Sequence, residues 1–192
     1  MIDEIYKSET MILETLALQG HPFVHTSMAA SITKRIKDVR NNFIKECFCD
    51  FQQTEHRMEY VTNVHGIEFI NDSRSTNINS TWYTLECMTK PIIWVAGGKD
   101  TCTDYTILKP LIKVKVKSMI FLGTDSSNFM LSMSDLKIPI TDASTMEDAV
   151  ELAFFAGTMG DVILLSPGCA SFDLFKDFEE RGNAFKKVVQ KL

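Results

Sequence analysis

Apolar and polar positions change their period along the chain. Met28, Ala29, Ile32, Ile36 and Val39 recur at intervals of three and four, with Lys34, Arg35, Lys37 and Asp38 between them. That spacing predicts an amphipathic helix over 27–41, capped by Ser27 or Thr26. Residues 11–18 fit strand and helix equally. From Arg57 onward the pattern alternates between strand and helix. "MEYVTNV" and "IEFI" flank His65-Gly66, which predicts a β-hairpin. "PIIWVA" (91–96) reads as a buried strand, 104–114 as a helix limited by Pro110, and "SMIFLG" (118–123) as a strand. Residues 126–133 predict a short helix. "KIPIT" (137–141) predicts a short edge strand, because its proline cannot donate to a ladder.

Ser144-Thr145-Met146-Glu147 fits the S-x-x-E capping box, opening a helix that runs to about Met159 and stops at Gly160. "DVILLS" (161–166) is the most hydrophobic strand. A last helix is expected from about Leu174 to the end, broken at Gly182, with Lys186, Lys187 and Lys191 where cations suit the helix dipole. Strands alternating with helices imply an α/β layer architecture with a mostly parallel sheet. A boundary is expected near residue 57. The part before it, 1–57, reads as a partial, mainly helical segment, too small to bury a core of its own.

Composition narrows the classes. The chain has 192 residues, 45% hydrophobic and 23% charged, an ordinary globular balance that suits one large or two small domains. A formal net charge of −5 gives no basic surface for nucleic acid. The opening "MIDEIYKSET" is too polar for a signal peptide, and no apolar run approaches the roughly 18 residues that span a bilayer. A soluble, cytoplasmic protein is expected. The five cysteines are odd in number and scattered, which argues against a disulfide framework. Cys47 and Cys49 form C-x-C without a second pair at zinc spacing, so no metal site is expected.

Candidate chemistry lies in the loops at the strand ends. "NDSRSTNINS", "AGGKDTCT", "GTDSSN" and "SPGCASFD" are each small, polar, and rich in Gly or Ser, and each leads into a helix. If the strands are parallel, these loops share the carboxyl edge, where open sheets bind ligands. Such residues are also favoured as caps and turns for purely local reasons. None of the loops matches G-x-x-x-x-G-K-[ST] or G-x-G-x-x-G, so no self-contained phosphate-transfer site is visible. Arg74 either clamps a carboxylate or phosphate or is a solvated surface arginine. Asp72 either accepts from ribose hydroxyls or forms an Asx-turn. Lys99 sits in a Gly-Gly loop, and His56-Arg57 at the expected boundary is either a ligand-touching hinge or a linker. Cys169 is weighed as a nucleophile against a bystander thiol.

"HGIEFINDSRSTNINSTWYTLECM", "IIWVAGGKDTCTDY", "GDVILLSPGCASFDLFKDFEERGNAFK" and "EHRMEY" together resemble the C-terminal part of a Mur ligase, of the branch that adds D-glutamate. The upstream "LALQG" and "SMAASITKRIKDVRNNFIKE" resemble the last stretch of that family's central ATPase domain, so the resemblance covers essentially the whole chain. It implies a Rossmann-like C-terminal domain over 58–192, with helices on both faces of the sheet, and a remnant of the ATPase domain over 1–57. It further implies an ATP- and Mg²⁺-dependent ligase of peptidoglycan synthesis. In that chemistry ATP phosphorylates the carboxylate of UDP-N-acetylmuramoyl-L-alanine, and the D-glutamate amine attacks the acyl phosphate.

By the same resemblance, His56, Arg57 and Asp72 fall on ATP-binding positions. Arg74, Thr76, Ser171, Phe172 and Phe178 fall on D-glutamate-binding positions. Three departures stand out. The motif lysine is Arg74, the lysine expected to hold the α-carboxylate is Thr101, with Lys99 nearby, and the adenine-reading asparagine is Thr26. The resemblance also implies that the family's first domain and most of its central domain, with its phosphate loop, are missing partners. The isolated chain is therefore expected to be inactive, or else a degenerate module that binds an acidic metabolite or a partner protein.

Overall fold

A computed structural model describes residues 54–99 and 104–192. They belong to a compact unit running from Asp50 to Leu192. The expectations for 11–18 and 27–41, for Thr26 and Thr101, and for Cys47 and Cys49 lie outside the described residues.

The described chain begins with a hairpin. β1 (Glu59–Val64) and β2 (Ile67–Asn71) pair antiparallel around His65-Gly66. Both turn residues have positive φ, 50° and 83°, the pairing that a two-residue hairpin of this twist requires. The Gly66 amide donates to Asn63 Oδ1 at 2.9 Å and closes the turn. The remaining strands follow helices. They are β3 (Ile92–Gly97), β4 (Val116–Leu122), β5 (Ile140–Ala143) and β6 (Val162–Gly168), and the sheet order is β1-β2-β6-β3-β4-β5. Every neighbouring pair after the hairpin is parallel. The carboxyl ends of β2, β3, β4, β5 and β6 therefore share one edge, as a Rossmann-like α/β fold requires.

β3 shows why the sheet is covered on both faces. All six of its residues are buried, the signature of a central parallel strand. Ile92, Trp94 and Ala96 join one apolar cluster, and Ile93 and Val95 join the other, as period-two alternation dictates. The first cluster takes in α1 (Ile78–Cys87), α2 (Lys109–Lys115) and α3 (Ser127–Met133) through Leu85, Ile112 and Phe129. The second takes in α4 (Met146–Ala156) and α5 (Phe178–Val189) through Ala149, Ala153, Phe185 and Val189. No helix among the described residues is long and apolar enough to cross a membrane.

Several boundaries differ from the sequence-based expectation. α4 is capped by Thr145, whose Oγ1 accepts from Asp148 N, one residue after the expected Ser144 cap. The helix ends at Ala156, ahead of Met159. β5 starts at Ile140, after the proline, and is an edge strand as expected. α5 starts at Phe178, four residues after Leu174, because Asp177 caps it by accepting from Glu180 N. It also runs unbroken through Gly182 to Val189.

Gly182 interrupts nothing because its missing side chain makes room for a neighbour. A Cβ there would stand under 3.0 Å from three ring atoms of His56, which is buried. Alanine is intrinsically better than glycine inside a helix by up to about 1 kcal/mol. Gly182→Ala is nevertheless expected to lower stability by about 1–3 kcal/mol through overpacking. Thermal denaturation measures the sign, and a Tm at or above that of the parent chain would show that the His56 ring can move aside.

Candidate functional site

The turn between β2 and α1 is built around one carboxylate. Asp72 is 0% exposed. Its Oδ2 accepts from Ser75 Oγ at 2.5 Å, Thr84 Oγ1 at 2.6 Å and Ser166 Oγ at 2.9 Å. Its Oδ1 accepts from the Met58 amide at 3.2 Å and lies 3.8 Å from Arg57 Nη1. One side chain thus ties together the segment before β1, the β2–α1 turn, the second turn of α1 and the end of β6. Burial raises the Asp72 pKa above the usual carboxylate range, opposed by Arg57 and the three hydroxyls. Burial also lowers the Arg57 pKa, with Asp72 opposing. Arg57 Nη1 donates to Ser75 Oγ at 3.0 Å, which closes a triangle of three buried polar groups.

His56 is fixed beside this cluster. Its φ is +62°, and its ring Nδ1 lies 2.9 Å from Asn71 Nδ2. Since the amide nitrogen donates, Nδ1 accepts and the proton sits on Nε2. The ring meets Phe178 edge-on at 6.2 Å between centroids. Burial, and then the charge of Lys186, lower the His56 pKa, opposed by the carboxylates of Glu55, Glu59 and Glu179. Both His56 and Arg57 are buried parts of the fold, so the linker reading does not hold.

Arg74 and Thr76 point outward from the same turn and are exposed. Arg74 N donates to His56 O at 3.0 Å, and the Arg74 guanidinium carbon stands 5.7 Å from the Phe178 ring centroid, within cation–π range. Ser171 lies in the turn after β6. It is 2% exposed, and its carbonyl accepts from Leu174 N and Phe175 N. Phe172 beside it is 69% exposed. Gly168 N donates to Ser75 O at 2.9 Å, which joins this turn to the one after β2. Lys99 is exposed on the loop after β3, and its amide donates to Ala170 O at 2.9 Å. His56, Arg57, Asp72, Arg74, Thr76, Lys99, Ser171, Phe172 and Phe178 therefore gather on one edge of the sheet. The Cys169 thiol is buried, 3.2 Å from Tyr105 Oη, within the core that faces α1 to α3. A buried thiol offers no surface nucleophile.

Sequence reasoning missed one residue of this edge. Arg181 is 1% exposed and donates to Ser73 Oγ at 3.0 Å, Ser73 O at 2.9 Å and Cys169 O at 3.2 Å. Burial lowers its pKa to about 10, so it stays charged near neutral pH. Among the described residues no cluster of His, Cys, Asp and Glu has the makings of a metal site.

Residues 56–169 match the protein family described as Mur ligase, glutamate ligase domain. The chain is 43% identical over 179 residues to a UDP-N-acetylmuramoylalanine–D-glutamate ligase of Porphyromonas gingivalis, covering 93% of this chain and 40% of that protein. It is 42% identical over 180 residues to the protein of the same name in Bacteroides fragilis, with the same coverage. Among solved structures, the UDP-N-acetylmuramate-alanine ligase MurC of Thermotoga maritima superposes with a TM-score of 0.50 at 11% identity, over 74% of this chain and 31% of that one. That likeness is one of fold alone. The chain spans about 40% of the length of these curated relatives.

Proposed function

This chain belongs to the Mur ligase family, and from that premise we propose that it is the amino-acid-binding part of an ATP-dependent ligase that adds D-glutamate to UDP-N-acetylmuramoyl-L-alanine in peptidoglycan synthesis. The observation that supports this reading is the placement of Arg74. Its cation is exposed, stacked on Phe178, and set on the edge that also carries Thr76 and Ser171. A dicarboxylic amino acid needs such an edge. The Arg74 guanidinium presents a planar fork to one carboxylate and Thr76 carries an exposed hydroxyl donor, whereas Ser171, 2% exposed, has to be uncovered before its hydroxyl can donate. The Phe178 ring limits the rotamers of Arg74. Lys99 on the neighbouring loop supplies a second cation for the other carboxylate. With both carboxylates held, the amine is left to attack an activated acyl group.

ATP with Mg²⁺, in the intact ligase, supplies that activation by phosphorylating the acceptor carboxylate. The residues carried over for the nucleotide fit it unequally. Arg57 and His56 are set next to the amino-acid edge but are buried by 94% or more. The two oxygens of Asp72 already accept four hydrogen bonds from the chain itself, so a ribose hydroxyl has to displace one of those donors. We assign to Asp72 first the setting of Arg57 and the Arg74 turn. The chain by itself is not expected to hydrolyse ATP, because its loops match no phosphate-binding motif.

Calorimetry tests the reading. D-Glutamate is expected to bind saturably to the chain, L-glutamate weakly or not at all, and Arg74→Ala to bind D-glutamate about tenfold or more weakly. A charge-assisted hydrogen bond is worth about 1.5–3 kcal/mol, which sets that factor. Absence of saturable binding by the parent chain at millimolar ligand would instead favour a degenerate module whose ligand is another acidic metabolite or a protein.

A further inference from the structure

We propose that Arg181 is the positioning residue of the amino-acid edge, holding the turn after β2, the turn after β6 and the start of α5 in a single register. The inference rests on the function proposed above. Its ground is where the guanidinium donors end. Two go to Ser73, through Oγ and the backbone carbonyl, and Ser73 is the residue before Arg74. The third goes to the Cys169 carbonyl, two residues before Ser171. Ser73 Oγ then donates onward to the Phe178 carbonyl at 2.7 Å. Each of these three segments carries a candidate contact to D-glutamate, and each contact is within two residues of a group that Arg181 or Ser73 fixes. The loop after β3 comes close as well, since a Cβ on Gly98 would stand 3.2 Å from Arg181 Nη1.

A staple for stability alone does not call for this residue. All three acceptors of Arg181 are neutral, and burying a guanidinium is costly. The carboxylate that acts on it is Asp173, whose two buried oxygens make no hydrogen bond among the described residues. An apolar side chain of the same length fills such a space at lower cost. What an apolar side chain cannot supply is a planar set of donors that fixes two carbonyls and a hydroxyl relative to each other.

The test compares Arg181→Met, Arg181→Lys and the milder Ser73→Ala in the full chain. Each variant is followed by D-glutamate calorimetry, thermal denaturation and backbone amide NMR. The expected result is D-glutamate affinity reduced tenfold or more in both Arg181 variants, and about threefold or more in Ser73→Ala. The amide resonances of Arg74, Ser171 and Phe178 should move in all three, while those of Ile93 and Val95 in β3 stay in place. Affinity at the parent value in any folded variant overturns the proposal, whatever happens to the Tm. Ser73→Ala removes one hydroxyl and decides the question if the Arg181 variants do not fold. If the parent chain itself binds no D-glutamate, the functional reading fails separately. The resonances then decide alone, and unmoved Arg74, Ser171 and Phe178 amides would refute the positioning role.

Discussion

Asp72→Asn is expected to destabilise the domain by about 3–5 kcal/mol, the range for removing one partner of a buried ion pair. The substitution preserves shape and removes only charge and one acceptor. Its amide nitrogen has no good place to go. Turned towards the Oδ2 position it faces the hydroxyls of Ser75, Thr84 and Ser166, all of which donate to the carboxylate. Turned the other way it faces the Met58 amide and the Arg57 cation. Two of the hydroxyls have a second neighbour to turn to, Ser80 O at 3.2 Å for Thr84 and Thr81 Oγ1 at 3.2 Å for Ser166, but the Arg57 charge then lacks its carboxylate. Natural domains are stable by only about 5–15 kcal/mol, so the variant sits near the folding limit. Equilibrium urea denaturation reads the loss. Combining Asp72→Asn with Arg57→Met should cost less than the sum of the two, because both changes remove the same charge–charge interaction. A loss below about 1 kcal/mol for Asp72→Asn would mean that the cluster holds no ionised carboxylate. The same result bears on function. Weak nucleotide binding by an Asp72 variant is evidence of direct contact only after its unfolded fraction has been subtracted.

The sheet was legible because its signals are local. Six consecutive buried positions in β3 appear as an apolar run, and His65-Gly66 between two alternating segments announces the hairpin. The shared edge followed from parallel strands, and the loops "NDSRST" and "SPGCAS" lie on it side by side. What the sequence hid depends on depth. "FEERGNAF" looks like a charged, solvated stretch with a helix breaker in it. Yet Arg181, Phe185 and Val188 are spaced by four and three, so the arginine is in phase with the apolar face, and Gly182 lies beside it against His56. That phase was the available signal. It was masked because arginine and glycine carry no apolar weight in a periodicity reading. The slip from Ser144 to Thr145 has a different cause. Ser144 to Glu147 and Thr145 to Asp148 are the same pattern one residue apart, and only the backbone decides which hydroxyl reaches the amide.

Gly98→Ala is the second large effect expected, a loss on the order of 3 kcal/mol or more. Two costs combine. Gly98 has φ +132°, a conformation that an L side chain adopts only under strain of about 1–3 kcal/mol. Its added Cβ would also stand under 3.0 Å from the Ala170 carbonyl oxygen, a backbone atom with no rotamer to yield. That carbonyl is the acceptor of Lys99 N, so relief of the clash opens the contact between the loops after β3 and β6. Gly160→Ala separates the two costs. Gly160 has φ +95°, and a Cβ added there would meet nothing within 4 Å, so it carries strain without collision and should lose about 1 kcal/mol. The difference between the two variants in urea denaturation measures the collision. Movement of Ala170 also carries Ser171 away from the amino-acid edge. The folded fraction of Gly98→Ala should therefore bind D-glutamate several-fold more weakly, while Gly160→Ala, on the turn that precedes β6 at the opposite edge, binds as the parent does. Equal losses in both stability and affinity would show that the loop after β3 can part from the loop after β6 freely, and that Ser171 is held by the segments around Arg181 without it.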